Sequence, residues 1–329
     1  TLDVTPMGTP ICATAGRQQS ISVAPIPGGG AYVAWEDWRP GDSIGIYAQL
    51  LDKNGVPRWA ANGIRVSPTG SRAVVPHIAS GWPAGVPGGV YVVWQDFRSG
   101  NADIYIQALD TSGTKRWSAG GVKVCDAADV QDDAYPVTVK DTSVVVVWND
   151  QRDSIIGVYA QRFNPAGTAE WTANGKKIVS AYPAYEPRAA WDEGNGVVVV
   201  WTEYNTDSSK YFVAGQRLAG DGTALWGGAV SVTGSVPGNQ GVPQIVSNGG
   251  GSTIVTWQDT RSGAADIYAQ NFMPGGARNW GALGNAVCTA TNIQLRQVLA
   301  HDGAGGAIIS WIDLRNGTDY DLYAQRMDG

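Results

Sequence analysis

Val90-Tyr91-Val92-Val93-Trp94-Gln95-Asp96-Phe97-Arg98, then Asp103-Ile104-Tyr105-Ile106-Gln107, then Gly113-Thr114-Lys115-Arg116-Trp117 and Gly121-Val122-Lys123-Val124, decide the fold. The β-branched and aromatic runs are short and are bounded by Gly, Asn, Asp and Ser, the pattern of strands joined by tight turns. The pattern returns along the whole chain. Runs ending in Trp recur at Trp35, Trp94, Trp148, Trp201, Trp257 and Trp311, in steps of 59, 54, 53, 56 and 54 residues. An acid stands two positions after each: Asp37, Asp96, Asp150, Glu203, Asp259 and Asp313. In five of the six an arginine follows two positions later: Arg39, Arg98, Arg152, Arg261 and Arg315. Gly-x-x-x-Trp comes next, as Gly55/Trp59, Gly113/Trp117, Gly167/Trp171, Gly222/Trp226 and Gly276/Trp280.

With one more strand ahead of each Trp run, such as Pro243-Gln244-Ile245-Val246, every unit reads as four short strands. Six such units predict an all-β chain, a six-bladed β-propeller with four-stranded antiparallel blades. The last unit, about residues 293–327, stops after its third strand, whereas Gly8-Thr9-Pro10-Ile11-Cys12 matches Gly284-Asn285-Ala286-Val287-Cys288. Residues 8–12 are therefore expected to complete the last blade and close the ring, which removes open sheet edges. Residues 1–329 then form one domain.

The composition of the 329 residues agrees: 44 are glycine and only five of the 29 acids are Glu, which favours turns and strands over helices. A net charge of −6 excludes the basic stripe of a nucleic-acid binder. No apolar run of about 18 residues offers a membrane span. Cys12, Cys125 and Cys288 fit no disulfide framework or zinc spacing, and are expected as free, largely buried thiols. His77 and His301 are the only histidines, and both are expected in hydrogen-bonded core positions.

The consensus Trp-x-Asp-x-Arg, Asp-Ile-Tyr-Ala-Gln and Gly-x-x-x-Trp resembles the tandem repeats of secreted bacterial β-propeller proteins of mostly unassigned function. The resemblance covers essentially the whole chain and implies a secreted or cell-surface location. Residues 108–117 are also similar to the tryptophan-docking motif of quinoprotein propellers, but one residue is missing between Asp110 and Gly113, and no quinone is implied. The Ser-x-Asp-x-Gly-x-Thr-Trp box of sialidases does not occur.

Residues common to every unit read as scaffold: the run-ending tryptophans fill the core and the Gly-x-x-x-Trp tryptophans dock on the adjoining unit. Asp96 with Asp103, Asp259 with Asp266 and Asp313 with Asp321 bracket an arginine, and a neutralised cluster is expected. Calcium, which takes six to eight oxygens, is the weaker reading of the same carboxylates. No other cofactor is expected. The fourth unit departs from the pattern at Thr202-Glu203-Tyr204-Asn205-Thr206-Asp207, with no arginine.

Positions that vary between units are where a site is grafted on a scaffold. Trp38, Phe97 and Tyr204 share one variable loop position, and Arg72, Asp132, Asp133, Tyr185, Glu186, Gln240 and Arg296 vary at the start of the first strands. Aromatics beside varied polar groups suit glycan or peptide recognition. Trp82 sits in an insertion expected on the opposite face. No nucleophile elbow, zinc-protease helix or P-loop is present. The expectation is a non-catalytic extracellular module that binds a glycan or a protein partner, with self-association possible. The alternative is a polysaccharide hydrolase or lyase using carboxylates at the same place.

Overall fold

The computed structural model describes residues 8–81, 89–140, 142–178 and 182–329; Trp82 and its insertion lie outside them. The described residues form 23 strands and no helix. The first sheet holds β1 (Gln18–Pro25), β2 (Ala31–Asp37), β3 (Gly45–Leu51) and β4 (Ile64–Arg65), and the second β5 (Ala73–Gly81), β6 (Gly89–Asp96), β7 (Asp103–Leu109) and β8 (Val122–Cys125). The third holds β9 (Gln131–Thr138), β10 (Val144–Asp150), β11 (Gly157–Phe163) and β12 (Lys176–Ile178). The fourth holds β13 (Ala184–Trp191), β14 (Val197–Asn205), β15 (Lys210–Leu218) and β16 (Val230–Ser231). β17 (Gln240–Gly249), β18 (Ser252–Asp259), β19 (Asp266–Phe272) and β20 (Asn285–Cys288) make the fifth, and β21 (Gln294–His301), β22 (Ala307–Asp313) and β23 (Asp321–Met327) the sixth. Every sheet is an antiparallel meander in chain order. This is the sheet plan of a β-propeller.

The strands divide into two compact units, one of residues 1–152 and 161–176, the other of residues 153–160 and 177–329. In the first, Tyr32, Val92, Trp94 and Leu109 share a core; in the second, Val200, Val213, Trp257 and Phe272 do. Central strands such as β6 are buried along almost their whole length because both faces of the sheet are covered. The Trp94 indole N–H donates to Asp96 Oδ2 at 2.9 Å, two residues on and therefore on the same face. Gly121 makes room for that ring: a Cβ there would stand 2.5 Å from Trp94.

The second set of tryptophans docks between sheets. Trp59 Nε1–H donates to the Thr111 carbonyl at 2.9 Å, and Trp226 Nε1–H to that of Pro274 at 3.0 Å. The glycine of the next turn is the seat. A Cβ on Gly113 would lie 3.1 Å from the Trp59 ring, and one on Gly276 3.0 Å from Trp226.

Two features stand at the ends of the chain. Residues 8–12 carry no assigned strand; Pro10 has no N–H for a ladder, and the segment is held by Ile11 and Cys12 against Val33, Trp35 and Tyr47. The sixth sheet has three strands, and on its outer face Leu322 is 83% exposed. Ile104 and Ile267, at the same register in the second and fifth sheets, are fully buried.

Candidate functional site

The first strand of every sheet is broken at one place. Ser20, Val75, Asp133, Glu186, Val242 and Arg296 all adopt positive φ, between 49° and 55°. A β-bulge interrupts the pairing around each. Positive φ is uncommon outside glycine, and in a β-branched valine it is a strained outlier. Bulges re-aim side chains and gather beside active sites. The backbone is the same six times, while the side chains run Ser, Val, Asp, Glu, Val and Arg. Asp133, Glu186 and Arg296 of the sequence-derived set are three of these six residues; Arg72 and Tyr185 lie one to three positions earlier.

A bulge turns its amide away from its own ladder, and the neighbouring sheet takes it. The Val75 N–H donates to Glu36 Oε1 at 2.9 Å, while Gln19 Nε2 donates to Glu36 Oε2 at 2.9 Å. Burial alone raises the Glu36 carboxyl, but the hydrogen bonds from Val75, Gln19, Ser20 and Trp38 outweigh it and hold the group below its ordinary range. In the second unit the Val242 N–H reaches both Glu186 Oε2 and Thr202 Oγ1 at 3.1 Å, and the Thr202 hydroxyl donates to the same Glu186 oxygen at 2.8 Å.

Asp132, beside Asp133, has a different environment. It faces Asn149 across the ladder, and Asp132 Oδ1 and Asn149 Oδ1 are both buried without a hydrogen-bond partner. Burial pushes the Asp132 carboxyl up, with the Asn149 amide opposing and the charge of Asp133 adding to the rise. Spare hydrogen-bonding capacity and a shift toward the protonated form are what a proton donor requires.

The loop aromatics lie at the same edge of their sheets. Trp38 is 39% exposed and its Nε1–H points at Glu36 Oε2, 3.4 Å away. The Arg72 guanidinium stacks 4.4 Å above the Phe97 ring. Tyr204 packs on Tyr211, with ring centroids 4.8 Å apart. The fourth-sheet hairpin is extended: β14 and β15 keep pairing past Glu203 to Tyr204↔Tyr211 and Asn205↔Lys210. Glu203 keeps the indole bond from Trp201 at 2.8 Å, and burial pushes its carboxyl up.

The acid–arginine clusters are clamps. Asp96 is fully buried and accepts from the Arg98 backbone N–H, Arg98 Nε and Arg98 Nη2, while the guanidinium stacks 3.8 Å over Tyr105. Asp259 and Asp313 are held by the backbone N–H and Nη2 of Arg261 and Arg315, without the Nε bond. The expectation that the guanidinium neutralises both carboxylates needs correction: Asp103 takes Ser99 Oγ, Asp266 takes Ser262 Oγ and Asp321 takes Asn316 Nδ2. The arginine follows its own Asp in a tight turn and is spent on it. Among the described residues no group of three or more His, Cys, Asp or Glu converges to hold a metal.

The three cysteines are unbridged and each thiol meets the clamp aspartate of the next sheet, Cys12 with Asp37, Cys125 with Asp150 and Cys288 with Asp313, at 3.6, 3.6 and 3.7 Å. Cys125 is buried, and burial pushes its thiol up to about 12. They are polar neighbours of the clamps, a role beyond the apolar filling expected of them. His77 tilts on Tyr135, but His301 is exposed and its Nδ1 accepts the Gly303 N–H, contrary to a core position.

Sequence reasoning passed over Glu36, Asn149 and Arg17. The first two occupy the position between the run-ending Trp and its acid, where Glu36, Gln95, Asn149, Thr202, Gln258 and Ile312 vary as freely as the loop aromatics do. That variation was the available signal.

No family model matches the chain, and no curated protein matches it. Among solved structures it is similar to the α-L-arabinofuranosidase Arb93A of Fusarium graminearum, at 13% identity over 96% of this chain and 95% of that one, with a TM-score of 0.52. It is likewise similar to an α-L-arabinanase of Penicillium chrysogenum complexed with arabinobiose, at 14% identity, 97% and 95% coverage and a TM-score of 0.52. The NanB sialidase of Streptococcus pneumoniae follows at 7% identity and TM-score 0.55, over 92% of this chain and 66% of that one. At these identities the likeness establishes the fold. The expectation of a non-catalytic module is corrected by these neighbours, which are glycoside hydrolases and favour its alternative.

Proposed function

We propose that this chain is a hydrolase acting on polysaccharide through carboxylates displayed at the bulged starts of its first strands. The observation that carries the reading is the fixed, strained bulge with a changing side chain, which presents Asp133 at φ 49° and Glu186 at φ 55°. Glycosidic hydrolysis needs a proton donor and a second carboxylate as base or nucleophile. In the first unit Asp132, half-buried and with an unsatisfied Oδ1, is the donor and Asp133 beside it is the candidate for the second role; Glu186 is the carboxylate that the second unit presents at the same bulge. The arabinan- and sialoside-processing folds this chain is similar to support a glycan as the partner. The test is product release from arabinan and other plant and bacterial polysaccharides by the purified chain, repeated with Asp132→Asn, Asp133→Asn and Glu186→Gln. Absence of product from all of them contradicts the reading.

The same reading takes the fold as six blades, with residues 8–12 supplying the strand that the sixth sheet lacks. The support is the contact of Cys12 with Asp37, which reproduces those of Cys125 with Asp150 and Cys288 with Asp313, where the cysteine ends the fourth strand of the preceding sheet. Deletion of residues 1–12 is the test, with a large fall in melting temperature expected.

A further inference from the structure

We infer that the glycan is acidic, and that its carboxylate groups are taken by two arginines set over aromatic rings, Arg17 over Trp38 and Arg72 over Phe97. The inference rests on the hydrolase reading for its glycan, but on other residues. Both pairs lie in the first unit and are built alike. The Arg17 carbonyl accepts the Trp38 N–H at 2.9 Å and the Arg72 carbonyl accepts the Phe97 N–H at 3.0 Å, so each arginine stands beside its loop aromatic. The guanidinium carbons lie 5.9 Å and 4.4 Å from the ring centroids, and both arginines are exposed. Glu36 joins the two, taking the Trp38 indole at Oε2 and the Val75 N–H, three residues after Arg72, at Oε1.

Electrostatics sets these two apart among the arginines of the first unit, where Arg58 and Arg116 also pair with aspartates. Every clamp arginine sits on its own aspartate, and Arg65, Arg162, Arg217 and Arg326 also hold carboxylates. The Arg17 guanidinium donates to the Gln19 amide oxygen at 3.3 Å, and that of Arg72 makes no hydrogen bond or ion pair among the described residues. In a chain of net charge −6, two cations beside a buried carboxylate and left without anions are a binding feature. The Phe97 ring under Arg72 and the Gln19 amide on Arg17 already restrict the guanidiniums, and their remaining N–H groups match a planar two-oxygen acceptor. A uronic-acid carboxylate is such an acceptor, and a neutral pentose offers none.

The test is binding of the intact chain to polygalacturonate, neutral arabinan and dextran sulfate, by calorimetry at low and at physiological salt. Polygalacturonate is expected to bind and arabinan to bind much more weakly, with Arg17→Gln and Arg72→Gln each weakening the acidic polymer about tenfold. Arg58→Gln, which alters another exposed arginine of the same unit, leaves it unchanged. Thermal melts equal to the parent's show that the variants fold. Equal binding of arabinan, dextran sulfate bound as tightly as polygalacturonate, or an unaltered Arg17→Gln/Arg72→Gln double variant each overturns the inference. Because binding is read without turnover, an unaltered double variant sinks the arginine pair alone. Lost binding with no product from any polysaccharide sinks only the hydrolase.

Discussion

The Glu36 carboxylate accepts the backbone N–H of Val75 at 2.9 Å, so a buried acid in the first sheet satisfies the amide that the bulge in the second turns out of its ladder. Thr202 and Glu186 do the same for Val242. A strained backbone position persists only where its surroundings over-determine it, and these side chains are part of those surroundings.

Removing the acceptor therefore exposes the strain. Glu36→Ala leaves the Val75 N–H without its partner and is expected to cost about 1–3 kcal/mol in urea denaturation. Glu36→Gln keeps an acceptor oxygen and is expected to cost less. Equal losses in the two would show that the carboxylate's hydrogen bond is not what matters.

Asp37, Asp96 and Asp313 are pulled below the usual aspartate range: burial opposes, but the arginine, the indole and the backbone N–H prevail. Their stabilisation is fully present above the unfolded pKa of about 4 and is lost as pH falls through the lower folded values. Melting temperature is thus expected to drop steeply only below about pH 4. Asp96→Asn flattens that limb while lowering stability at neutral pH. A profile unaffected by the substitution speaks against the clamp.

Glu203 has the opposite sign. With no arginine and a pKa raised by burial, it favours the folded state less once ionised, and that penalty grows as pH rises above the ordinary glutamate range. Glu203→Gln is expected to be neutral or stabilising at neutral pH, in contrast to Asp96→Asn, when the two melts are compared.

Gly113 and Gly55 separate packing from backbone strain. Both have positive φ, +81° and +76°, but a Cβ on Gly113 would meet Ile64 and the Trp59 ring, whereas one on Gly55 meets nothing within 4 Å. Gly55→Ala is expected to cost about 1 kcal/mol and Gly113→Ala about 1–3 kcal/mol more. A change in tryptophan emission in Gly113→Ala alone confirms the seat at Trp59.

The Trp-x-Asp-x-Arg and Gly-x-x-x-Trp patterns were legible because each is a local device: Trp94, Asp96 and Arg98 meet on one strand face, and Trp59 meets the glycine of the next hairpin. Six sheets in meander order followed from that. The bulges were not legible, since nothing in Val75 or Val242 announces positive φ; the groups that meet their amides, Glu36 and Glu186, come from other strands. A non-local cause likewise hid the half-buried place of Asp132 with its covered Oδ1, which reads in sequence as one of two exposed-looking acids. The pairing of Arg17 with Trp38 needed the register of β1 on β2, which a bulge shifts.

The most direct measurement is reducing-sugar release from a panel of polysaccharides by the parent chain and by Asp132→Asn. The expected result is product from at least one polymer with the parent, and a fall of at least about a hundredfold, the usual contribution of a general acid, with binding retained in the variant. Product formed equally well by Asp132→Asn, or no product from any polymer with the folded parent, would contradict it.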